Sequence, residues 1–347
     1  MASAARQSAA VSEDFTWRDG ERLIRFGRNV AAEAPSLLEA HGFVGFVLLT
    51  TTRAAESVPG VVDGASVVVQ VPAGRVDEIS AALLEDAGDR PLVALGGGRV
   101  VDTAKAIAGA RGGLAAAIPT TLSGAEMTPF HRTPTGVAGA RMVRPSLVVA
   151  DPGLMTSQPA PQMVASAMNA LAHAMEALYT PLANPVTDLA ALRAAELIAA
   201  GVEAEPPGRE EIALGALLAG YASGATGIAV HHAVCQTIVR TGGTPHAETN
   251  AVVLPHSARL MARRAPAAMA RFAAALGDAG AGGGPDSAAD GAARLAALTG
   301  TTRLSELGVA ETDLPAIAAT AATHPLLANT PEPPSEEELS RLLREAF

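Results

Sequence analysis

The 347-residue chain has a single cysteine, Cys235, so no internal disulfide can form and a disulfide-stapled secreted framework is excluded. A reducing, cytoplasmic setting is the expectation. Positive charge is scarce: 25 Lys and Arg against 35 Asp and Glu leave a net charge of −10. That balance argues against a nucleic-acid-binding face and offers nothing to an anionic membrane. Long apolar runs are missing too. The longest near the N-terminus, 43–49, falls far short of the roughly 20 residues that cross a bilayer. Residues 1–11 lack the apolar centre of a signal peptide and are expected to form a loose tail. Lysine is almost absent, Lys105 being the only one among the 25 basic residues. Where arginine otherwise supplies plain positive charge, a lone lysine marks either a site that needs a compact ammonium or an ordinary helix-surface position.

What is present is apolar mass. Hydrophobic residues make up 49% and charged residues 17%, which excludes disorder of the whole chain, and the length suits two domains of about 150 residues each. Small-molecule chemistry is the function class left standing.

The first half alternates short β-branched runs with helical spacing. Strands are expected at 23–26, 43–50, 66–71, 91–95 and 114–118, and helices at 30–40, 76–85 and 100–110. This rhythm predicts a Rossmann-like α/β nucleotide-binding domain over 1–155, a parallel sheet with helices on its faces. From about 159 the chain turns to alanine- and leucine-rich stretches at 162–178, 185–200, 210–223, 227–239 and 247–264, which predict an all-α domain over 156–347. The Gly-, Ala- and Asp-rich 278–291 reads as a loop, and no internal repeat is visible.

Three constellations carry chemistry. A buried strand runs into Gly96, Gly97 and Gly98 and then into a helix, where bare backbone and free N–H groups suit a pyrophosphate. Alone, a glycine triplet is also an ordinary turn. Asp102 and Lys105 follow at i,i+3 on one helix face, either as part of the same site or as a solvated ion pair. Next, Thr120, Thr121 and Ser123 lie at a strand end, where hydroxyls bond ribose or phosphate, or simply cap a turn. Third, five of the eight histidines fall between His173 and His256. Asn169 and His173 share a helix face, and a Thr-Gly-Gly-Thr-Pro break after position 240 lets His232 and His246 converge on the same point. Three histidines can ligate a divalent metal, but such sites usually add a carboxylate or water.

The strand–GGGxxxDxxK unit, the Ile118-Pro119-Thr120-Thr121 turn, the Asp151-Pro152 junction and the stretch from Asn169 to Ala177 resemble the iron-containing alcohol dehydrogenase family. Within it, Thr120 to Pro129, Glu176 to Tyr179, His231 to Cys235 and Pro245 to Thr249 look most like the maleylacetate reductases. The resemblance spans roughly residues 15–347. It implies a reductase using NADH or NADPH, with the active site in the cleft between the two domains, a small carboxylic-acid substrate and a homodimer. In metal-dependent members an aspartate and three histidines hold iron or zinc. The histidines map onto His173, His232 and His246, and the aspartate onto the neutral Asn169, which implies work without a metal, as the maleylacetate reductases generally do. Two positions depart from that branch. Gln236, one turn after His232, and Asn250, after Glu-Thr, stand where histidine is common, which removes two groups able to titrate near neutrality.

The reaction so implied delivers hydride to a C=C conjugated with a carbonyl. His173, His232 and His246, with Asn169 and Gln236 beside them, would stabilise the enolate or orient carboxylates, and one histidine would return a proton. Thr52 and Arg53, after the second strand, offer no acid for a ribose 2′-hydroxyl and one arginine for a 2′-phosphate, which favours NADPH. The alternatives are a metal-dependent alcohol dehydrogenase, a reductase of another unsaturated or keto acid, and a nucleotide-binding homologue without turnover.

Overall fold

The computed structural model describes residues 14–278 and 286–347. The tail at 1–11 and half of the loop expected at 278–291 lie outside them. Seven strands form one sheet: β1 (Phe15–Asp19), β2 (Arg22–Phe26), β3 (Val47–Thr50), β4 (Val67–Gln70), β5 (Leu92–Gly96), β6 (Ala115–Pro119) and β7 (Leu147–Ala150). Their order is β1-β2-β7-β6-β5-β3-β4. Only β1 is antiparallel, as the outer arm of a hairpin with β2, and every other pairing is parallel.

The inner strands β3, β5, β6 and β7 are buried along their whole length, which is why they read as unbroken Val, Leu and Ala instead of alternating with polar residues. Alternate side chains serve different cores. Leu48, Val93, Leu95 and Ile118 pack with Val30, Leu38 and Val61 on one face. Leu49, Ala94 and Ala117 pack on the other against Val100, Ala104 and Ile107 of the helix Gly98–Arg111. At the β2–β7 end, Ile24, Phe26, Val148 and Ala150 join the core of the helical half, so sheet and helices share one apolar interior.

That helical half is built around Ala160–Ala177, Pro185–Glu203, Arg209–Thr226, Val230–Gly242 and His246–Arg264. Among the described residues no single helix is long and apolar enough to cross a membrane. The seam to the sheet depends on two bare glycines. A side chain on Gly220 would meet the Gly124 Cα and the Met127 Cβ at 3.0 Å, and one on Gly224 would meet the Met127 carbonyl at 3.0 Å. Helix and loop therefore touch backbone to backbone. Arg22 reinforces the seam from β2, its guanidinium donating to the carbonyls of Pro145 at 2.9 Å and Glu126 at 3.0 Å.

Several expected elements are corrected. The strand expected at 43–50 is paired only from Val47, because Phe43 and Phe46 turn inward to the core before pairing begins. The helix expected at 30–40 is a 3₁₀ turn, Val30–Glu33, followed by Ala34–Ala40, and the one at 76–85 breaks into Val76–Ala82 and Leu84–Ala87. β1 and β7 were not expected at all. The loop expected at 278–291 is already helical from Ser287, since Ala288, Ala292 and Leu295 bury one face of Ser287–Ala296.

Candidate active site

β5 ends at Gly96, and Gly97 caps the helix Gly98–Arg111 with no side chain bonded to its first N–H groups. The glycines are required by what lies opposite. A side chain on Gly97 would come within 3.0 Å of the Thr121 methyl, and one on Gly98 within 3.0 Å of the Ser123 hydroxyl. The glycine turn and the Thr120-Thr121-Leu122-Ser123 turn are thus pressed together, and Thr120 is tied in by its N–H to the Gly96 carbonyl at 3.0 Å. Free helix N–H groups, half-buried hydroxyls and a positive helix end converge at the carboxyl edge of the sheet, a fitting seat for a pyrophosphate.

Lys105 is not part of that seat. It is fully buried, and its ammonium sits 2.8 Å from the Ala125 carbonyl, 3.1 Å from the Thr128 carbonyl and 2.8 Å from Asp102 Oδ1. Two carbonyls accept its protons, and Asp102 pairs with its charge. The expectation of a cofactor-binding lysine, and equally of a solvated ion pair, is corrected: the ammonium anchors the 125–128 loop under the site. Asp102, its partner, is 30% exposed and faces the cleft.

Thr52 and Arg53 open a helix, Thr52–Ser57, at the carboxyl end of β3. The Arg53 guanidinium donates to the Ser157 carbonyl at 3.1 Å, bridging this edge to the chain beyond β7.

The histidine cluster lies where Ala160–Ala177 meets the start of Val230–Gly242. His173 and His232 stack face to face, with ring centres 4.3 Å apart and planes at 22°. His231 meets His232 edge-on at 5.2 Å. Glu176, one turn beyond His173, holds them in register. Its Oε2 lies 2.5 Å from His232 Nδ1, and its Oε1 accepts the backbone N–H of His231 at 2.8 Å and of His232 at 3.3 Å. Ala229, at the N-cap, has no side chain to satisfy these amides, so a carboxylate from another helix does so.

His231 faces away, into a closed network in which its Nε2 donates to Asn250 Oδ1 at 2.9 Å and its Nδ1 accepts from the Ser257 hydroxyl at 3.1 Å. Asn250 in turn donates to the His246 carbonyl at 2.7 Å. Asn250 therefore braces the interior and the start of the His246 helix. Gln236 is half-buried one turn beyond His232.

Burial sets the protonation states. It pushes His232 down to about 3, with His246 nearby acting in the same direction, and His231 down to about 3, with His232 adding to the effect. His173 is lowered well below the ordinary imidazole value, by burial first and by His232 second. These rings are neutral at pH 7. His246 is exposed at the mouth. Its crowded setting lowers its pKa while the charge of Asp102 pulls it back up. Three buried polar atoms around the stack have no partner: Asn169 Oδ1, His173 Nδ1 and His232 Nε2. Unpaired buried polar atoms cost about 1–3 kcal/mol each, so their grouping marks a place built for a ligand.

A resident metal does not fit these donors. Beside His173 the helix offers the neutral amide of Asn169 and no carboxylate, and the one carboxylate beside the imidazoles, Glu176, is committed to a helix N-terminus and to His232 Nδ1. Among the described residues no three His, Cys, Asp or Glu side chains are grouped to hold a metal ion. The structure thus brings His173 and His232 together, sets His246 at the mouth with Asp102, and adds Glu176 and His231, which the sequence reading did not name as site residues. Positions 169, 173 and 176 lie on one helical face, a spacing that would have found Glu176.

Two family models match the chain, "Iron-containing alcohol dehydrogenase" over residues 25–159 and "Fe-containing alcohol dehydrogenase family, C-terminal" over residues 163–347. Maleylacetate reductase 1 of Rhodococcus opacus is 38% identical over 73% of this chain and 71% of its own length. Maleylacetate reductase of Sphingobium indicum is 35% identical over 80% of each. The crystal structure of maleylacetate reductase from Rhizobium sp. superposes with a TM-score of 0.82 at 29% identity, covering 97% of this chain and 99% of that one. The chain belongs to the iron-containing alcohol dehydrogenase family.

Proposed function

We propose that the chain is an NAD(P)H-dependent oxidoreductase of the maleylacetate reductase type, which reduces the conjugated C=C of maleylacetate to give 3-oxoadipate, and that its own side chains do the work usually given to a metal. The observation that carries this reading is the neutral His173–His232 stack, flanked by an amide where a ligating carboxylate would be needed. The relatives named above support the substrate.

Gly97 and Gly98, with Thr120, Thr121 and Ser123 pressed against them, would hold the pyrophosphate of a nicotinamide dinucleotide, which would supply a hydride. Hydride delivered to the alkene carbon β to the ketone would move the C=C π pair toward the carbonyl and build negative charge on its oxygen. His173, whose Nδ1 is buried and unpaired, offers that oxygen a preorganised N–H dipole, while His232 and Asn169 orient the substrate as acceptors. A proton then goes to the α-carbon. His246, exposed to solvent and within the electrostatic reach of Asp102, is the histidine placed to bring it. Free N–H groups of Arg53 at the adenosine edge favour NADPH.

The test is oxidation of NADH and of NADPH by chelator-treated protein given maleylacetate, followed by absorbance. Turnover that persists with chelator and does not rise on adding zinc or iron is expected. Activity that needs added metal would overturn the metal-free mechanism, and cofactor binding without turnover would overturn the substrate.

A further inference from the structure

We infer that Glu176 is a positioning residue that fixes the tautomer of His232, so that His232 meets the reaction pocket with the lone pair of Nε2, as an acceptor and not as a donor. The inference rests on the reductase reading only for its kinetic arm.

The argument is one of counting protons. Glu176 Oε1 accepts two backbone N–H groups at a helix N-terminus, at 2.8 and 3.3 Å. Burial pushes the Glu176 pKa up, and the helix-end amides oppose that rise by favouring the ionised carboxylate. A carboxylate can only accept, so the 2.5 Å contact between Oε2 and His232 Nδ1 requires the ring proton on Nδ1. Nε2 is then bare, and it is the His232 atom that is buried and unpartnered. The stack with His173 at 4.3 Å prevents the ring from turning over to exchange its nitrogens. Whatever occupies the pocket beside His232 therefore meets Nε2 as an acceptor. Asn169 Oδ1, a second buried acceptor without a partner, plays the same part from the preceding turn of the His173 helix.

The Glu176→Gln variant separates this role from simple packing. The two helix amides still need an acceptor, so the Gln oxygen stays with them and its NH₂ turns toward His232. Nδ1 must then accept, the proton moves to Nε2, and the pocket meets a donor where it had an acceptor. The fold is kept and the chemistry inverted. Replacing an acid by its amide in a comparable Asp–His pair costs about 10⁴-fold in turnover through the wrong tautomer. A loss of kcat of roughly 10²-fold or more is expected here, with the KM for the nicotinamide cofactor within about twofold of the starting protein.

The tautomer is read directly by ¹⁵N NMR of histidine-labelled protein, with the His232 signals assigned from a His232→Asn variant. A proton on Nδ1 in the starting protein and on Nε2 in E176Q supports the inference, whatever the substrate proves to be. A proton on Nε2 in the starting protein would overturn it. So would a tautomer switch in E176Q with kcat unchanged on a substrate the starting protein turns over. If E176Q does not fold, Glu176→Asp takes its place: a shorter carboxylate keeps the Nδ1 proton, so an E176D spectrum with the proton on Nε2 would overturn the inference equally. A starting protein inactive on maleylacetate sinks the proposed substrate and leaves the spectra to decide the tautomer.

Discussion

Glu126 gives the most quantitative prediction. It sits in the loop that joins β6 to β7, fully buried, with neither carboxylate oxygen hydrogen-bonded. Burial raises its pKa from 4.5 to about 7, and the nearby charges of Lys105 and Arg22 hold back part of that rise. At about 1.36 kcal/mol per unit, the difference between folded and unfolded chains is worth roughly 3 kcal/mol. Its sign follows from which state holds the proton. Between 4.5 and 7 the folded protein keeps it and the unfolded chain does not, so this stabilisation is complete below pH 4.5 and disappears as the pH rises through 7. Glu126→Gln has no proton to lose. Urea denaturation of both proteins at a series of pH values should show E126Q gaining about 3 kcal/mol on the parent between pH 4.5 and 8. The buried histidines tilt the parent's own curve the other way. Their lowered pKa values mean that stability present above about 6.5 is lost as the pH falls, but they are common to both proteins and cancel in the difference. A stability difference flat from pH 5 to 8 would refute the reasoning.

Two further predictions follow from the site and its seam. His246→Ala should lower kcat by roughly 10²-fold while dinucleotide affinity, followed by nicotinamide fluorescence, stays unchanged, since a positioned proton donor contributes about 10²–10⁴-fold; unchanged turnover would remove His246 from the mechanism. Gly220→Ala drives a methyl against the Gly124 Cα and the Met127 Cβ at 3.0 Å. It should cost about 1–3 kcal/mol in denaturant unfolding and raise the KM for the cofactor by displacing Ser123 and Thr121; wild-type stability would mean that the seam yields freely.

Much of this was legible in advance, and the pattern of failures is physical. The inner strands were visible because a strand buried on both faces reads as a continuous apolar run. β7 was not, because its four residues follow a long segment of Pro, Gly and Arg and gain their identity only by pairing with β2 and β6. β1 is an edge strand with alternating exposure, whose Phe15 stacks on Phe26 and whose Trp17 meets Tyr221 edge-on, partners that no local window contains. Lys105 was noticed for its rarity. Its burial depends on carbonyls 20 and 23 residues away.

The amino-acid sequence by itself determined the two-part plan, the glycine turn at the carboxyl edge of the sheet, and the helix face bearing Asn169, His173 and Glu176. These depend on residue type and short periodic spacing. Only the tertiary structure decided that Glu176 serves a helix beginning more than 50 residues later, that His231 turns to Asn250 and Ser257 while His232 turns to the pocket, and that the inner imidazoles are neutral. Protonation and tautomer are set by desolvation and by partners brought in across space, and neither is encoded in the order of neighbours along the chain.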